Sequence, residues 1–334
     1  MKKNISVLFF TLIVSFFLTE LLFRIFYPIN LQSWYAELLD PEKSFVSLKK
    51  NYHHKIDRWN YKYYASYTLG EYRNRITQNT KNDNNVLILG DSFTFGLYLK
   101  DKDTYINKLQ NKFNNFNLIN SSTPGWGLED YYLFTKNFCK EINPKKIIII
   151  LNNGDMGRIR KKVIILENKN ISLKEKYKSY KFLVENFMTI SFLRNNTYKI
   201  WNYNKKHTND DLKDTTIYFD QNITKEIVKD SKKLFLRLKK EADNCGASLN
   251  IINLGWSDFR NHEKILNNPN QLFFRNEKNF FRKNQIGFFD NTQFLRNVHK
   301  NKEKFIIKNE GHPNELGADE IFNSLKIHFN KILI

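Results

Sequence analysis

The sequence predicts an α/β protein: a doubly wound parallel sheet with an irregular inserted cap, behind an N-terminal transmembrane helix. Three observations carry that expectation. From Val86 onward, short apolar runs alternate with stretches whose apolar residues recur at helical spacing. Lys145-Lys146-Ile147-Ile148-Ile149-Ile150-Leu151 is a near-continuous aliphatic run, which means burial on both faces and hence a parallel sheet. Each strand-like run ends in a cluster of polar residues and glycine, the residues needed where a sheet of this kind holds its ligands.

Length and charge set the outer bounds. At 334 residues the chain can bury one large core with an inserted subdomain, and its high aromatic content argues against disorder. The net charge of +20 comes from lysine spread evenly among abundant asparagine and isoleucine, the pattern of a composition bias. Attraction to an anionic membrane surface or an acidic glycan is the functional alternative. With no zinc spacing and no ribonucleoprotein-type aromatic motif, nucleic acid is not an expected partner.

In chain order, Lys2 and Lys3 precede an apolar run, Ile5–Leu18, and the apolar span continues past Glu20 to Tyr27. That span is long enough to cross a bilayer, and basic residues ahead of it keep the start in the cytoplasm. No small-residue cleavage site is visible, so residues 1–27 read as an uncleaved, single-pass anchor, with a cleaved signal as the alternative. Glu20 and Arg24 are four apart and can pair on a helix. Residues 28–85 form a polar, tyrosine-rich connector and edge segment. Its His53-His54 pair is not a metal site, because adjacent side chains on a strand point opposite ways. Cys139 and Cys245 either bridge or remain buried thiols.

The α/β domain, residues 86–334, begins with Val86–Leu89 as its first strand. Asp103–Phe113 reads as the first crossover helix, Phe116–Asn120 as the second strand and Glu129–Cys139 as the next helix. The Ile-rich run is the third strand. Residues 156–221 are basic, aromatic and irregular, the expected cap. Thr224–Ala242 returns to helix, Leu249–Leu254 and Ile286–Phe289 to strand, and Phe305-Ile306-Ile307 reads as a further strand ahead of the His312 cluster, before a last helix from Glu315 to Leu333.

Four polar clusters then fall after apolar runs: Gly90-Asp91-Ser92, Pro124-Gly125-Trp126-Gly127, Asn152-Asn153-Gly154-Asp155 and Gly311-His312-Pro313-Asn314. Carboxyl ends of parallel strands gather at one sheet edge, so Ser92, Gly125, Asn152, Asn153 and His312 are expected to converge. A serine there is either a nucleophile or the cap of the next helix. Asp91 reads as a brace for its own turn.

These blocks resemble the SGNH/GDSL hydrolase superfamily, serine esterases and acyltransferases built on a flavodoxin-like sheet. The resemblance puts Ser92, in Gly90-Asp91-Ser92-Phe93-Thr94-Phe95-Gly96, in the nucleophile's place. It implies an oxyanion hole of the Ser92 and Gly125 backbone N–H groups with an asparagine amide, Asn153 before Asn152. It makes His312 the general base. The family's usual aspartate, three residues before the histidine, is Asn309 here, and Glu310 is the nearby carboxylate. The resemblance therefore allows a Ser–His dyad, a triad completed by Glu310, or a weakened enzyme in which Asn309 only orients the ring. The anchor, the arginine-containing segment before the first strand and the lysine-rich insertion also look like bacterial members tethered to the inner membrane with the catalytic domain outside the cytoplasm. The expected activity is hydrolysis of acyl esters on a small molecule, lipid or envelope carbohydrate, without metal or cofactor. O-acetyl transfer to an exported polysaccharide and a catalytically weak glycan-binding scaffold are the alternatives.

Overall fold

The structure, a computed structural model, describes residues 2–26, 38–41, 46–56, 65–77, 84–152, 154–156, 183, 186–193, 196–197, 221–256, 273–274, 276–295, 298, 300–307 and 311–334. The chain divides into two compact units. One holds Met1–Leu38, Lys55–Ala65 and Asn170–Asp214; the other holds Leu39–His54, Ser66–Lys169 and Thr215–Ile334.

The first unit contains helix α1 (Lys2–Phe26). Its Ile5–Phe26 stretch is, by length and composition, apolar enough to cross a membrane. Most of its described side chains are exposed.

In the second unit a short strand pair, β1 (Leu39–Pro41) with β2 (Val46–Leu48), precedes the sheet; a second pair, β3 (His53–Ile56) with β4 (Ala65–Thr68), has Lys55, Ile56 and Ala65 counted in the first unit. The sheet itself has five strands: β5 (Asn85–Gly90), β6 (Asn117–Asn120), β7 (Lys146–Leu151), β8 (Ser248–Asn253) and β9 (Gly287–Asp290). They lie in the order β6-β5-β7-β8-β9, all parallel, the doubly wound arrangement expected from the aliphatic runs. The chain leaves β5 for β6 on one side and then crosses back to β7 on the other. That reversal opens a crevice beyond the carboxyl end of β5, where Ser92 follows.

Alternation of side chains along the strands builds two cores. Leu87, Leu89, Ile147, Ile149 and Ile251 face helices α4 (Leu128–Ile142) and α5 (Gln221–Asn244), meeting Tyr131, Phe134, Phe235 and Leu238. Val86, Ile88, Ile148, Ile150 and Ile252 face the other way, onto α3 (Tyr105–Lys112) and the last helix (Glu315–Leu333) through Ile106, Leu109, Ile321 and Phe329. Each fully buried aliphatic or aromatic side chain contributes about 1.5–3 kcal/mol, so both faces must be covered for the sheet to persist.

Two expectations need correction. The helix foreseen over Asp103–Phe113 begins at Tyr105, because Thr104 caps it by accepting from the Asn107 N–H at 3.2 Å; a 3-10 turn, Asp101–Asp103, precedes it. More consequential, Phe305-Ile306-Ile307 adds no sixth strand. A short helix, Lys302–Phe305, occupies its start, and Ile306 makes only an isolated antiparallel bridge to Pro313. Proline has no N–H to extend a ladder, so the pairing stops there. The insertion foreseen over 156–221 falls mostly outside the described residues.

Cys139, on α4, and Cys245, just after α5, form a disulfide, which settles the alternative left open by the sequence. It closes a loop across a sequence separation of 106 residues. Restricting the unfolded chain in this way typically stabilises by about 2–4 kcal/mol. Thermal unfolding with and without reductant checks it: the midpoint is expected to fall by roughly 5–15 °C on reduction.

His328 on the last helix is buried against Phe289 and Phe294, and among the described residues neither ring nitrogen has a hydrogen-bond partner. Burial lowers its pKa, Lys331 lowers it further, and Asp290 opposes both. A histidine kept neutral when folded binds a proton more readily when unfolded. Stability therefore falls as pH drops below the unfolded value of about 6.5, until the folded group also titrates. Replacing His328 by Phe should flatten that part of the stability-versus-pH curve, read as unfolding midpoints between pH 5 and 8.

Candidate active site

The β5 strand ends at Gly90, and the chain turns at once into a four-residue helical turn, α2 (Ser92–Phe95). Asp91 caps that turn: its carboxylate accepts from the Phe93 N–H at 2.9 Å, the bracing role its sequence position suggested. Gly90 has no room for a side chain, since a Cβ there would stand 2.3 Å from Thr94 Oγ1. Gly96 ends the turn at φ +79°, where its N–H reaches the Ser92 carbonyl at 3.1 Å. Ser92 is thus held at both ends and largely buried.

His312 arrives from the far end of the chain, directly before Pro313 of the Ile306–Pro313 bridge and just ahead of the last helix. Its Nε2 lies 2.9 Å from Ser92 Oγ, across a separation of 220 residues. The loop is tied down around it. The Ile307 N–H donates to the His312 carbonyl at 2.8 Å, and Gly311 takes φ +74°. Asn314 caps the last helix by accepting from the Gly317 N–H at 2.9 Å and donates from Nδ2 to the Lys304 carbonyl at 2.8 Å. Gly317 itself must be glycine, because a Cβ would meet the Phe305 carbonyl oxygen at 2.2 Å.

Two aromatic side chains that sequence reasoning missed embrace the imidazole. Phe93 stacks on it with ring centres 4.7 Å apart and planes 25° off parallel. Tyr98 presents its ring nearly edge-on at 5.4 Å. Tyr98 adopts φ +69°, a left-handed conformation that costs a bulky residue on the order of 1–3 kcal/mol, and its N–H is held by the Tyr67 hydroxyl at 2.9 Å. Full burial pushes the Tyr67 phenol well above its ordinary pKa, so it remains a protonated hydroxyl.

Beneath the serine turn lies the other group that periodicity could not reveal, Arg75. It is 1% exposed, and its Nε donates to Asp101 at 2.8 Å. Nη1 donates to the carbonyls of Phe95 and Gly96 at 2.8 and 2.7 Å, and Nη2 to that of Leu99 at 2.6 Å. Its guanidinium also lies over the Tyr67 and Phe95 rings. Asp101 in turn accepts from Thr68 N–H and Oγ1. The carbonyls that follow Ser92 are therefore gathered onto one buried cation. The Arg-x-Arg pattern at Arg73 and Arg75 was visible, but charge in a lysine-rich chain reads as surface.

The remaining predicted residues divide. Gly125 occupies the third position of a Thr123–Trp126 turn, with φ +84° and a 3.2 Å bond from the Trp126 N–H to the Thr123 carbonyl. That is the type II turn of a Pro-Gly pair, which demands glycine. It follows β6, and the Thr123 N–H is anchored on the Gly90 carbonyl at 3.0 Å. Asn152 ends the Ile-rich strand, largely buried, its N–H donating to Asp155 Oδ2 at 2.9 Å. The same oxygen accepts from Tyr131 OH at 2.8 Å, so Asp155 braces this turn much as Asp91 braces its own. Asn153, Asn309 and Glu310 lie outside the described residues. Among the described residues, no group of three or more His, Cys, Asp or Glu could hold a metal ion.

No protein-family model and no curated protein matches the chain. Solved structures that resemble it include lipolytic proteins of the G-D-S-L family and esterases. TesA matches at 11% identity and a TM-score of 0.45, covering 73% of this chain and 97% of its own. The psychrotrophic esterase EstA from Pseudoalteromonas sp. matches at 13% identity and 0.43, covering 75% and 98%. The acetyl xylan esterase AlAXEase matches at 14% and 0.41, covering 73% and 98%.

Proposed function

We propose that the chain is a membrane-tethered serine hydrolase of the SGNH/GDSL type, acting on acyl esters. The observation that carries the reading is the 2.9 Å approach of His312 Nε2 to Ser92 Oγ. In this mechanism Ser92 Oγ attacks the ester carbonyl carbon as Nε2 takes its proton. The Ser92 and Gly125 N–H groups, with an amide from Asn153 or Asn152, hold the tetrahedral oxyanion. Each such donor contributes on the order of 3–4 kcal/mol to lowering the barrier. The imidazolium returns its proton to the departing alkoxide, leaving an acyl-serine. A second acceptor, deprotonated by His312, then releases the acyl group: water gives hydrolysis, a sugar hydroxyl gives transfer. Glu310, or Asn309 through its amide oxygen, is the proposed support for His312.

The membrane part of the proposal rests on α1 and on Lys2 and Lys3 ahead of its apolar span, which keep the amino terminus inside and the hydrolase unit outside the cytoplasm. The Cys139–Cys245 disulfide supports an oxidising compartment such as the periplasm. Incubation with p-nitrophenyl acetate and a serine-directed phosphonate tests the centre: labelling should map to Ser92 and vanish in Ser92→Ala and His312→Ala. A folded protein that takes no label would instead be a scaffold. Adding a glycan acceptor and following acyl transfer against release separates transferase from esterase.

A further inference from the structure

The carboxylate of Glu20 is placed where carboxylates are costly. It lies within the apolar span of α1, six residues before Phe26, or about 9 Å from that end at 1.5 Å per residue. Around it Leu18, Leu21 and Leu22 are 57%, 42% and 47% exposed, yet Glu20 is 6% exposed. What covers it is part of the insertion. Glu20 Oε1 accepts from the Met188 N–H at 2.9 Å, and Oε2 accepts from the Thr189 N–H at 2.9 Å and Oγ1 at 2.8 Å. Arg24 completes the set: its Nε donates to Oε1 at 2.9 Å while Nη2 reaches the Asn186 carbonyl at 2.7 Å. Ring contacts extend the seam along α1, Phe16 with Phe187 at 5.5 Å and Phe23 with Phe192 at 4.8 Å.

We propose that the insertion segment over residues 186–193 is seated in the outer leaflet of the bilayer beside α1, with lipid acyl chains covering its outward side. This rests on reading α1 as a membrane span. A charged side chain at apolar depth persists only when neighbours satisfy it, and the groups that satisfy Glu20 must share its depth. The segment is built for that depth. Phe187, Met188, Ile190, Phe192 and Leu193 are apolar, and its polar Thr189 points at Glu20. Leu193 is 57% exposed and follows Phe192, whose ring packs on Phe23 of α1, so the proposal puts lipid over it. An interfacial helix commonly sinks about 5–10 Å below the headgroups, which matches the level of Glu20.

The test uses full-length protein in vesicles of phosphatidylcholine and phosphatidylglycerol. Because the native cysteines are bonded to each other, a single introduced cysteine can carry an environment-sensitive fluorophore. Leu193→Cys and Leu12→Cys are labelled in turn, and quenching by spin-labelled lipid is compared with the same dye on glutathione. Both positions should be quenched several-fold more than the glutathione adduct, Leu193 most strongly by a shallow spin label. Adding Glu20→Ala should return Leu193 to the glutathione level while Leu12 stays quenched. If Leu12 is quenched and Leu193 is not, the proposal fails and the anchor stands; if neither is quenched, the anchor reading fails with it. Quenching at Leu193 that survives Glu20→Ala overturns the role given to Glu20.

Discussion

Ser92→Ala is expected to lower kcat for acyl-ester hydrolysis by about 10³-fold or more, with the thermal midpoint nearly unchanged. The size follows from the chemistry. Without Oγ no acyl-serine forms, and only the oxyanion donors and substrate binding remain to help water attack directly. The fold should tolerate the change, because the turn is held by Asp91, Gly96 and Arg75 rather than by the serine hydroxyl. His312→Ala should cost a comparable factor. Groups that act as a unit are non-additive, so the double variant should be no slower than either single one. Steady-state kinetics on p-nitrophenyl acetate reads all three. Activity in Ser92→Ala within tenfold of the parent would remove the acyl-enzyme mechanism.

Arg75→Met carries the largest expected cost in stability. The substitution keeps the buried volume roughly constant but leaves Asp101 without its cation and removes the guanidinium donor from three carbonyls after Ser92, those of Phe95, Gly96 and Leu99, and from that of Ser66. Breaking a buried ion pair on one side typically costs about 3–5 kcal/mol. Urea unfolding monitored by circular dichroism measures it. A functional loss should accompany the destabilisation, because three of the freed carbonyls belong to the turn that carries Ser92 and leads to Tyr98. Arg75→Lys restores the charge but not the planar fork, so it should recover only a minor part of both. An Arg75→Met protein as stable as the parent would mean that the desolvation of this cation cancels what its bonds contribute.

Much of the architecture was legible because strands buried on both faces leave an unmistakable mark. Ile147–Ile150 could be assigned from side-chain type alone, and the last helix from Glu315 to Leu333 from its cap and periodicity. The apolar run at Phe305-Ile306-Ile307 misled for the same reason: short aliphatic stretches look alike whether they join a ladder or meet one proline. Phe93 and Tyr98 were hidden because an aromatic in a one-turn helix or a loop carries no spacing signal. Arg75 was hidden because burial of a cation depends on carbonyls contributed by a turn about 20 residues away.

By itself the sequence determined the sheet, the polar clusters at its carboxyl edge and the span that begins the chain, all local properties of composition and period. Only the tertiary structure decided which distant groups meet. It brought Nε2 of His312 within 2.9 Å of Ser92 Oγ and joined Cys139 to Cys245. It also set the carboxylate of Glu20 against Met188 and Thr189. Such meetings depend on how helices pack on a sheet or on each other, and no window of residues records that.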